Sequence, residues 1–261
     1  MRGGDRMLAT VEPPSTLDLA FPPGGVLVVT GGGSGIGAAV AHTAAACGVR
    51  VAVWDIDGVG AQRVVDEIAA SGGEGLAITA DATDPAAVDG AMATTIARWG
   101  VAPTYLVCNG GPAAATVLAT PDGVARVIAG VSVPTEAFLA AGPPPGAAVV
   151  NVASIAGNWV AGGSEWYAAG KAAIAGLTRV LAARHGPGVR VNAIAPGVTR
   201  TPRTAATLAA GMEADLERRC PLRRPGEAHE AAAVIVFLCS PLASYVTGAL
   251  VPVDGGIVLH Q

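Results

Sequence analysis

The chain has 261 residues, enough for one large α/β domain with a sizeable core or for two small ones. Hydrophobic residues make up 51% and the mean hydropathy is +0.50, yet the excess is mostly alanine and valine, and no uncharged apolar run reaches the roughly 18 residues of a membrane span. A net charge of −4 speaks against a nucleic-acid partner, and the dispersed cysteines and histidines offer neither a metal spacing nor a His-based triad.

Residues 1–24 mix charges with Pro13, Pro14, Pro22 and Pro23 and lack an apolar signal segment, so we expect a loose leader on a cytoplasmic protein. Beyond it, residues 25–261 are expected to form one domain. Runs rich in β-branched residues predict buried parallel strands at Val26–Thr30, Val49–Trp54, Gly75–Ala80, Thr104–Cys108, Ala147–Ala153, Val189–Ala195 and Leu250–Val253. Ala-rich stretches of helical length lie between most of them: Gly35–Cys47, Val59–Ser71, Pro85–Trp99, Pro121–Ala141, Trp166–His185 and Glu227–Cys239. This alternation predicts a Rossmann-type α/β fold, a single doubly wound parallel sheet of about seven strands with helices on both faces. The helix between Gly111 and Ala148 is poorly marked, because that stretch is crowded with Ala, Gly and Pro.

The first strand runs into Thr30-Gly31-Gly32-Gly33-Ser34-Gly35-Ile36-Gly37 and then a helix. Glycines let the backbone turn sharply and approach a pyrophosphate, while the helix N-terminus offers free N–H donors and partial positive charge. Asp55 closes the second strand 18 residues beyond Gly37, close to the spacing of a carboxylate that holds an adenosine ribose. A carboxylate there accepts from ribose hydroxyls and repels a 2′-phosphate. No Arg or Lys follows Asp55 immediately, and none sits in the glycine turn. NAD(H) is therefore expected over NADP(H).

Lys171 is the single lysine of the chain, and it stands four residues after Tyr167. Every other long cation is arginine. A compact ammonium one helical turn from a phenol can stabilise a phenolate and still reach a ribose hydroxyl. One charge at about 4 Å, at an effective dielectric near 20, is worth about 4 kcal/mol, which is the order needed to make the phenol a usable proton acceptor.

Taken in order, these motifs resemble those of the classical short-chain dehydrogenases/reductases. The resemblance covers most of residues 25–256. It rests on Thr30–Gly37, Asp81 after the third strand, Asn109-Gly110-Gly111 after the fourth, Ser154 after the fifth, Tyr167 with Lys171, Pro196-Gly197 after the sixth, and the tail Val246-Thr247-Gly248 to Val253-Asp254-Gly255-Gly256. It implies an oxidoreductase that interconverts a secondary alcohol and a ketone by hydride transfer. Ser154 would polarise the substrate oxygen, Tyr167 would move the proton, and Lys171 would support both Tyr167 and the cofactor ribose. Gly31, Gly33, Ser34, Gly35, Ile36 and Gly37 would cradle the cofactor, with Asp81 and Ala82 at the adenine and Asn109 at a ribose. Pro196, Gly197, Val198 and Thr201 would wrap the nicotinamide. Residues 199–228 would form a substrate lid, and the assembly would be a homotetramer, or a homodimer.

Two departures from the family pattern stand out. The asparagine usual in the helix after the fourth strand, which helps hold a water beside the lysine, is replaced: Val131 takes its place, or Ser132 if the register shifts by one. The stretch from Gly111 to Asn151 is also short. Trp159 and Trp166 bracket the interval from Ser154 to Tyr167, where they either face an apolar substrate or pack internally. The lid carries Arg200, Arg203, Arg218, Arg219, Arg223 and Arg224, which either bind an anion or form a solvated face. Two other functions fit the same motifs: a 3-oxoacyl-(acyl-carrier) reductase, which would usually take NADP(H), and a weakened NAD-binding scaffold or sensor.

Overall fold

The computed structural model describes residues 19–114, 116–159 and 163–260, the side chains of residues 259 and 260 excepted. Seven strands, β1 (Val26–Thr30), β2 (Arg50–Asp55), β3 (Gly75–Thr79), β4 (Tyr105–Cys108), β5 (Ala147–Val152), β6 (Val189–Pro196) and β9 (Leu250–Val253), pair only in parallel, in the order β3-β2-β1-β4-β5-β6-β9. The strands of the middle are Val-rich because both faces are covered: all five residues of β1 and all six of β5 are buried. Each fully buried Val or Leu contributes about 1.5–3 kcal/mol, and separate apolar clusters lie on the two faces of the sheet.

The predicted strands and helices are found with each boundary within one residue. The helices are α1 (Gly35–Ala46), α2 (Gly58–Ala70), α3 (Pro85–Trp99), α4 (Thr120–Ala140), α6 (Glu165–His185) and α9 (Ala228–Cys239). The poorly marked segment after β4 does form α4, a 21-residue helix that tolerates Pro134 in its interior. By length and hydropathy α4 could cross a bilayer, but it packs against α3, α6 and β4. Its Arg126 pairs with Asp81 at 3.0 Å, so it is a core helix of this fold.

Several elements carry no advance signal. A four-residue helix, α5 (Ile155–Asn158), follows β5. The segment expected to form the lid folds as β7 (Thr199–Arg200), α7 (Ala205–Thr207), a π turn at Leu208–Met212 and α8 (Glu213–Arg219), then β8 (Gly226–Glu227), which pairs with β7. At the other end, residues 1–18 of the expected leader lie outside the described residues. Leu19 is buried and the Phe21 ring stands edge-on to Tyr105 at 5.2 Å, so packing begins before residue 25.

Strand order reverses between β1 and β4, whose connections run to opposite edges of the sheet. In such sheets the crevice at the carboxyl ends of the reversing strands is where ligands bind. The turn after β1 and the turn after β4 meet there.

Candidate active site

The glycine turn is shaped by contact as much as by flexibility. A Cβ on Gly37 would lie 2.0 Å from the Gly31 carbonyl oxygen, so the first turn of α1 can close onto the loop only without a side chain. Ser34 is the N-cap of α1 but makes no side-chain capping bond, and no acidic residue stands in the first turn. The free N–H groups of Gly35, Ile36 and Gly37 are therefore left for an anion. That donor set fits the diphosphate of a nicotinamide cofactor. Ile36 turns its side chain onto the core behind the turn.

Asp55, at the end of β2, accepts the Gly33 N–H on Oδ2 at 2.8 Å and the Asp57 N–H on Oδ1 at 2.9 Å. The carboxylate is thus fixed beside the glycine turn. Arg63 of α2 enters the same place: its Nη2 donates to the Gly33 carbonyl at 3.0 Å, and its Nη1 pairs with Glu67 at 2.7 Å. No Arg or Lys follows Asp55 immediately, as the sequence shows, but Arg63, eight residues beyond it, reaches back to the turn from α2.

Asn109 ties the two turns together. Its side-chain amide donates to the carbonyls of Thr30 at 3.2 Å and Gly31 at 2.9 Å, and its backbone N–H donates to the Thr30 hydroxyl at 3.1 Å. Asp81 and Ala82 lie part-buried after β3. Burial pushes the Asp81 carboxyl up, but the Thr83 backbone N–H and hydroxyl, with Arg126, hold it below the usual range. Pro196 ends β6, and Gly197 donates to the Val253 carbonyl at 2.9 Å. Val198 packs on the lid's apolar cluster. Thr201 faces the glycine turn, its methyl 3.2 Å from where a Cβ on Gly35 would stand. Asp55, Asn109 and Thr201 thus meet the glycine turn, while Asp81 and Ala82 follow the carboxyl end of β3, and Pro196 and Gly197 that of β6.

The three proposed catalytic residues come from β5, α5 and α6. Ser154 is the N-cap of α5, its hydroxyl oxygen accepting the Ala156 N–H at 3.2 Å. Asn158, one turn on, donates to the Ser154 carbonyl at 2.9 Å. Gly157 lets α5 lie directly on α6: a Cβ there would stand 2.3 Å from the Ala168 carbonyl oxygen and 2.5 Å from the Ala172 nitrogen. The α6 helix then presents Tyr167 and Lys171 on one side, with Nζ of Lys171 5.8 Å from the centre of the Tyr167 ring. Nζ donates to the Val152 carbonyl at 2.7 Å. Burial, with help from the nearby Arg203, brings the Lys171 ammonium down to about 8.

A small cavity beside Lys171 is lined by Val131 and Val127 of α4, and by Cys108, Gly111 and Arg203. Ser132 does not line it, so of these two residues it is Val131 that stands beside Lys171. Among the described residues, the α4 side chains that line the space beside the lysine, Val127 and Val131, are apolar. Cys108 is no nucleophile, because burial pushes its thiol up to about 12. Trp166 packs internally, buried against Gly123 of α4, and stands edge-on to Tyr167 at 5.8 Å. Of the two tryptophans only Trp159 is exposed, and residues 160–162 beyond it lie outside the described residues.

A family model described as enoyl-(acyl carrier protein) reductase matches residues 31–258. Cyclohexanol dehydrogenase of Acinetobacter sp. (strain SE19) is 36% identical over 243 residues, covering 88% of this chain and 93% of that protein. Meso-2,3-butanediol dehydrogenase of Serratia marcescens is 35% identical over 239 residues, with 88% and 93% covered. A short-chain dehydrogenase of Burkholderia cenocepacia J2315, solved with NADP, superposes with a TM-score of 0.81 at 32% identity, covering 90% of this chain and 98% of that one.

Proposed function

The chain belongs to the short-chain dehydrogenase/reductase family of oxidoreductases, and from that premise we propose that it interconverts a secondary alcohol and a ketone at Ser154, Tyr167 and Lys171. The observation that carries this reading is the placement of Tyr167 and Lys171 on one side of α6, with the Ser154 turn laid against that helix through Gly157. A nicotinamide cofactor held at the glycine turn would supply the hydride-transfer chemistry. The protein's own residues handle the oxygen. Tyr167 takes the hydroxyl proton as the alcohol is oxidised and returns it in reduction. The charge of Lys171, about 6 Å from the ring, favours the phenolate by about 3 kcal/mol at an effective dielectric near 20. Ser154 hydrogen-bonds the reacting oxygen and fixes its orientation. The relatives that act on cyclohexanol and butanediol support a small, largely apolar alcohol as substrate.

NAD(H) is proposed as the preferred carrier, because the Asp55 carboxylate stands beside the turn that would meet the adenosine ribose. Arg63 tempers that preference, and NADP complexes occur among similar structures. The carrier-linked 3-oxoacyl reading is less favoured, since most lid arginines are taken up by the chain's own acids: Arg200 by Glu213 and Glu227, Arg218 and Arg219 by Asp215, and Arg224 by Glu230. We further propose a cytoplasmic assembly of two or four copies. It draws support from the buried thiols of Cys108, Cys220 and Cys239, which form no disulfide, and from the exposed Phe237, Leu242 and Tyr245 along one short stretch.

The test is NADH formation at about pH 9, where alcohol oxidation is favoured, from cyclic and acyclic secondary alcohols with NAD+ or NADP+. Tyr167→Phe should lower kcat by roughly 100- to 10,000-fold while leaving NADH binding within twofold. A variant that kept most of its turnover would remove Tyr167 from the chemistry.

A further inference from the structure

One lid arginine is unlike the others whose ion pairs are known. Arg200, Arg218, Arg219 and Arg224 each hold a carboxylate. Among the described residues no carboxylate pairs with Arg203. Its hydrogen bond runs from Nη2 to the Gly111 carbonyl, a long 3.4 Å contact that crosses from the lid to the turn after β4. The backbone that presents it is well held. The Thr204 hydroxyl donates to the Thr199 carbonyl at 2.6 Å and accepts the Thr201 N–H at 3.0 Å. Arg203 is exposed to solvent, yet it also lines the same cavity as Lys171.

Two cations thus share one small space, and among the described residues each donates to a neutral carbonyl: Lys171 to Val152 and Arg203 to Gly111. Such a pair repels, and the repulsion registers at Lys171, whose ammonium Arg203 helps to weaken. An anion placed against Arg203 reverses the sign of that interaction. The guanidinium fork suits a two-oxygen acceptor such as a phosphate or a carboxylate.

We propose that Arg203 is the binding residue of an oxyanion subsite at the mouth of the Lys171 cavity, filled in the working enzyme by the cofactor diphosphate or by a carboxylate on the alcohol substrate. The proposal rests on the dehydrogenase reading of the same crevice. It goes beyond that reading in naming an anionic ligand group and the residue that takes it. The two sources share one chemistry and part in their consequences. If the diphosphate is the ligand, Arg203 sets cofactor affinity. If a substrate carboxylate is, Arg203 makes the enzyme selective for hydroxy acids or oxo acids over neutral alcohols.

The experiment compares the wild type with Arg203→Ala and Arg203→Lys by direct binding, independent of turnover. NADH and ADP-ribose are titrated against the free protein. Cyclohexanecarboxylate and cyclohexanol are titrated against the protein–NADH complex. A loss of at least tenfold in both NADH and ADP-ribose affinity in Arg203→Ala, partly restored in Arg203→Lys, supports the subsite and assigns it to the diphosphate. Unchanged NADH affinity, with at least tenfold weaker binding of cyclohexanecarboxylate but not of cyclohexanol, supports it and assigns it to the substrate. Affinities all within twofold of the wild type, or a carboxylate that the wild type binds no better than the alcohol combined with unchanged NADH affinity, overturn it. Failure of Tyr167→Phe to lose turnover would sink the catalytic reading while leaving these titrations decisive for Arg203.

Discussion

Lys171 should cost the cofactor-free protein stability, and replacing it by methionine should recover some. Each pKa unit corresponds to about 1.4 kcal/mol, so the fall from an ordinary 10.5 to about 8 sets a ceiling of about 3 kcal/mol on the penalty for carrying the charge in the fold. Lys171 is part-buried and not sealed off, which lowers that figure. Removing it also gives up the Nζ bond to the Val152 carbonyl, worth about 1 kcal/mol. Lys171→Met is therefore expected to be about 1–2 kcal/mol more stable than the wild type at pH 7. The sign with pH follows from the depressed value. Below about 8 both folded and unfolded chains are protonated at this site, and the penalty is whole. Between about 8 and 10.5 the unfolded chain binds the proton and the folded one does not, so wild-type stability gains on the variant as pH rises. Tyr105, Cys108 and Cys239, each pushed up to about 12 by burial, weaken both proteins alike at high pH and cancel in the difference. Urea melts of both proteins at several pH values from about 7 to 10 measure that difference. A Lys171→Met protein that is less stable at pH 7, or a difference that does not shrink with rising pH, would refute the reasoning.

Gly157→Ala should act on catalysis more than on binding. Its Cβ cannot stand 2.3 Å from the Ala168 carbonyl, so α5 must lift from α6 and carry Ser154 away from Tyr167. A displacement of about 1 Å is worth roughly 100-fold in kcat, and unchanged kcat with unchanged NADH affinity would show that the contact is slack. Asp55→Asn should lower the ratio of kcat/KM for NAD+ over NADP+ by about tenfold, the effect of about 1.4 kcal/mol of removed repulsion at the 2′-phosphate; an unaltered ratio would shift selectivity to Arg63. Glu230, held down to about 2 chiefly by its hydrogen bonds with Arg224, also caps α9 by accepting the Glu227 N–H at 2.7 Å. Its contribution is present above about 4.5 and lost as pH falls toward about 2, so Glu230→Gln should lower Tm at pH 7 and the gap should close in acid.

The sheet and its helices were legible because their signal is local. Val-rich runs covered on both faces mark the strands, and the glycine turn and the Tyr167–Lys171 spacing each stand out within a few residues, whereas Ser154 was reached only through the family resemblance. What escaped depends on partners remote in the chain. Arg63 reaches Gly33 across 30 residues, and inspection of the residues next to Asp55 could not find it. The pairing of β7 with β8 joins two-residue segments that have no pattern of their own. Trp166 became a core residue because Gly123 leaves it room, a fact about α4 and not about the tryptophan. Val131 took its place beside Lys171 only once the register of α4 was known.

The cap on α5 has a consequence for the direction of proton flow. The Ser154 oxygen already receives one hydrogen bond, from the Ala156 N–H. An oxygen so engaged still has its own proton to give. In the proposed reaction it meets a carbonyl or alkoxide with that proton, as a donor, and that is the polarity a ketone oxygen needs in order to accept hydride at carbon. The alcohol's proton is left to the phenol oxygen of Tyr167. A backbone amide that serves to start a four-residue helix thereby occupies one of the two acceptor sites of the hydroxyl proposed to orient the substrate.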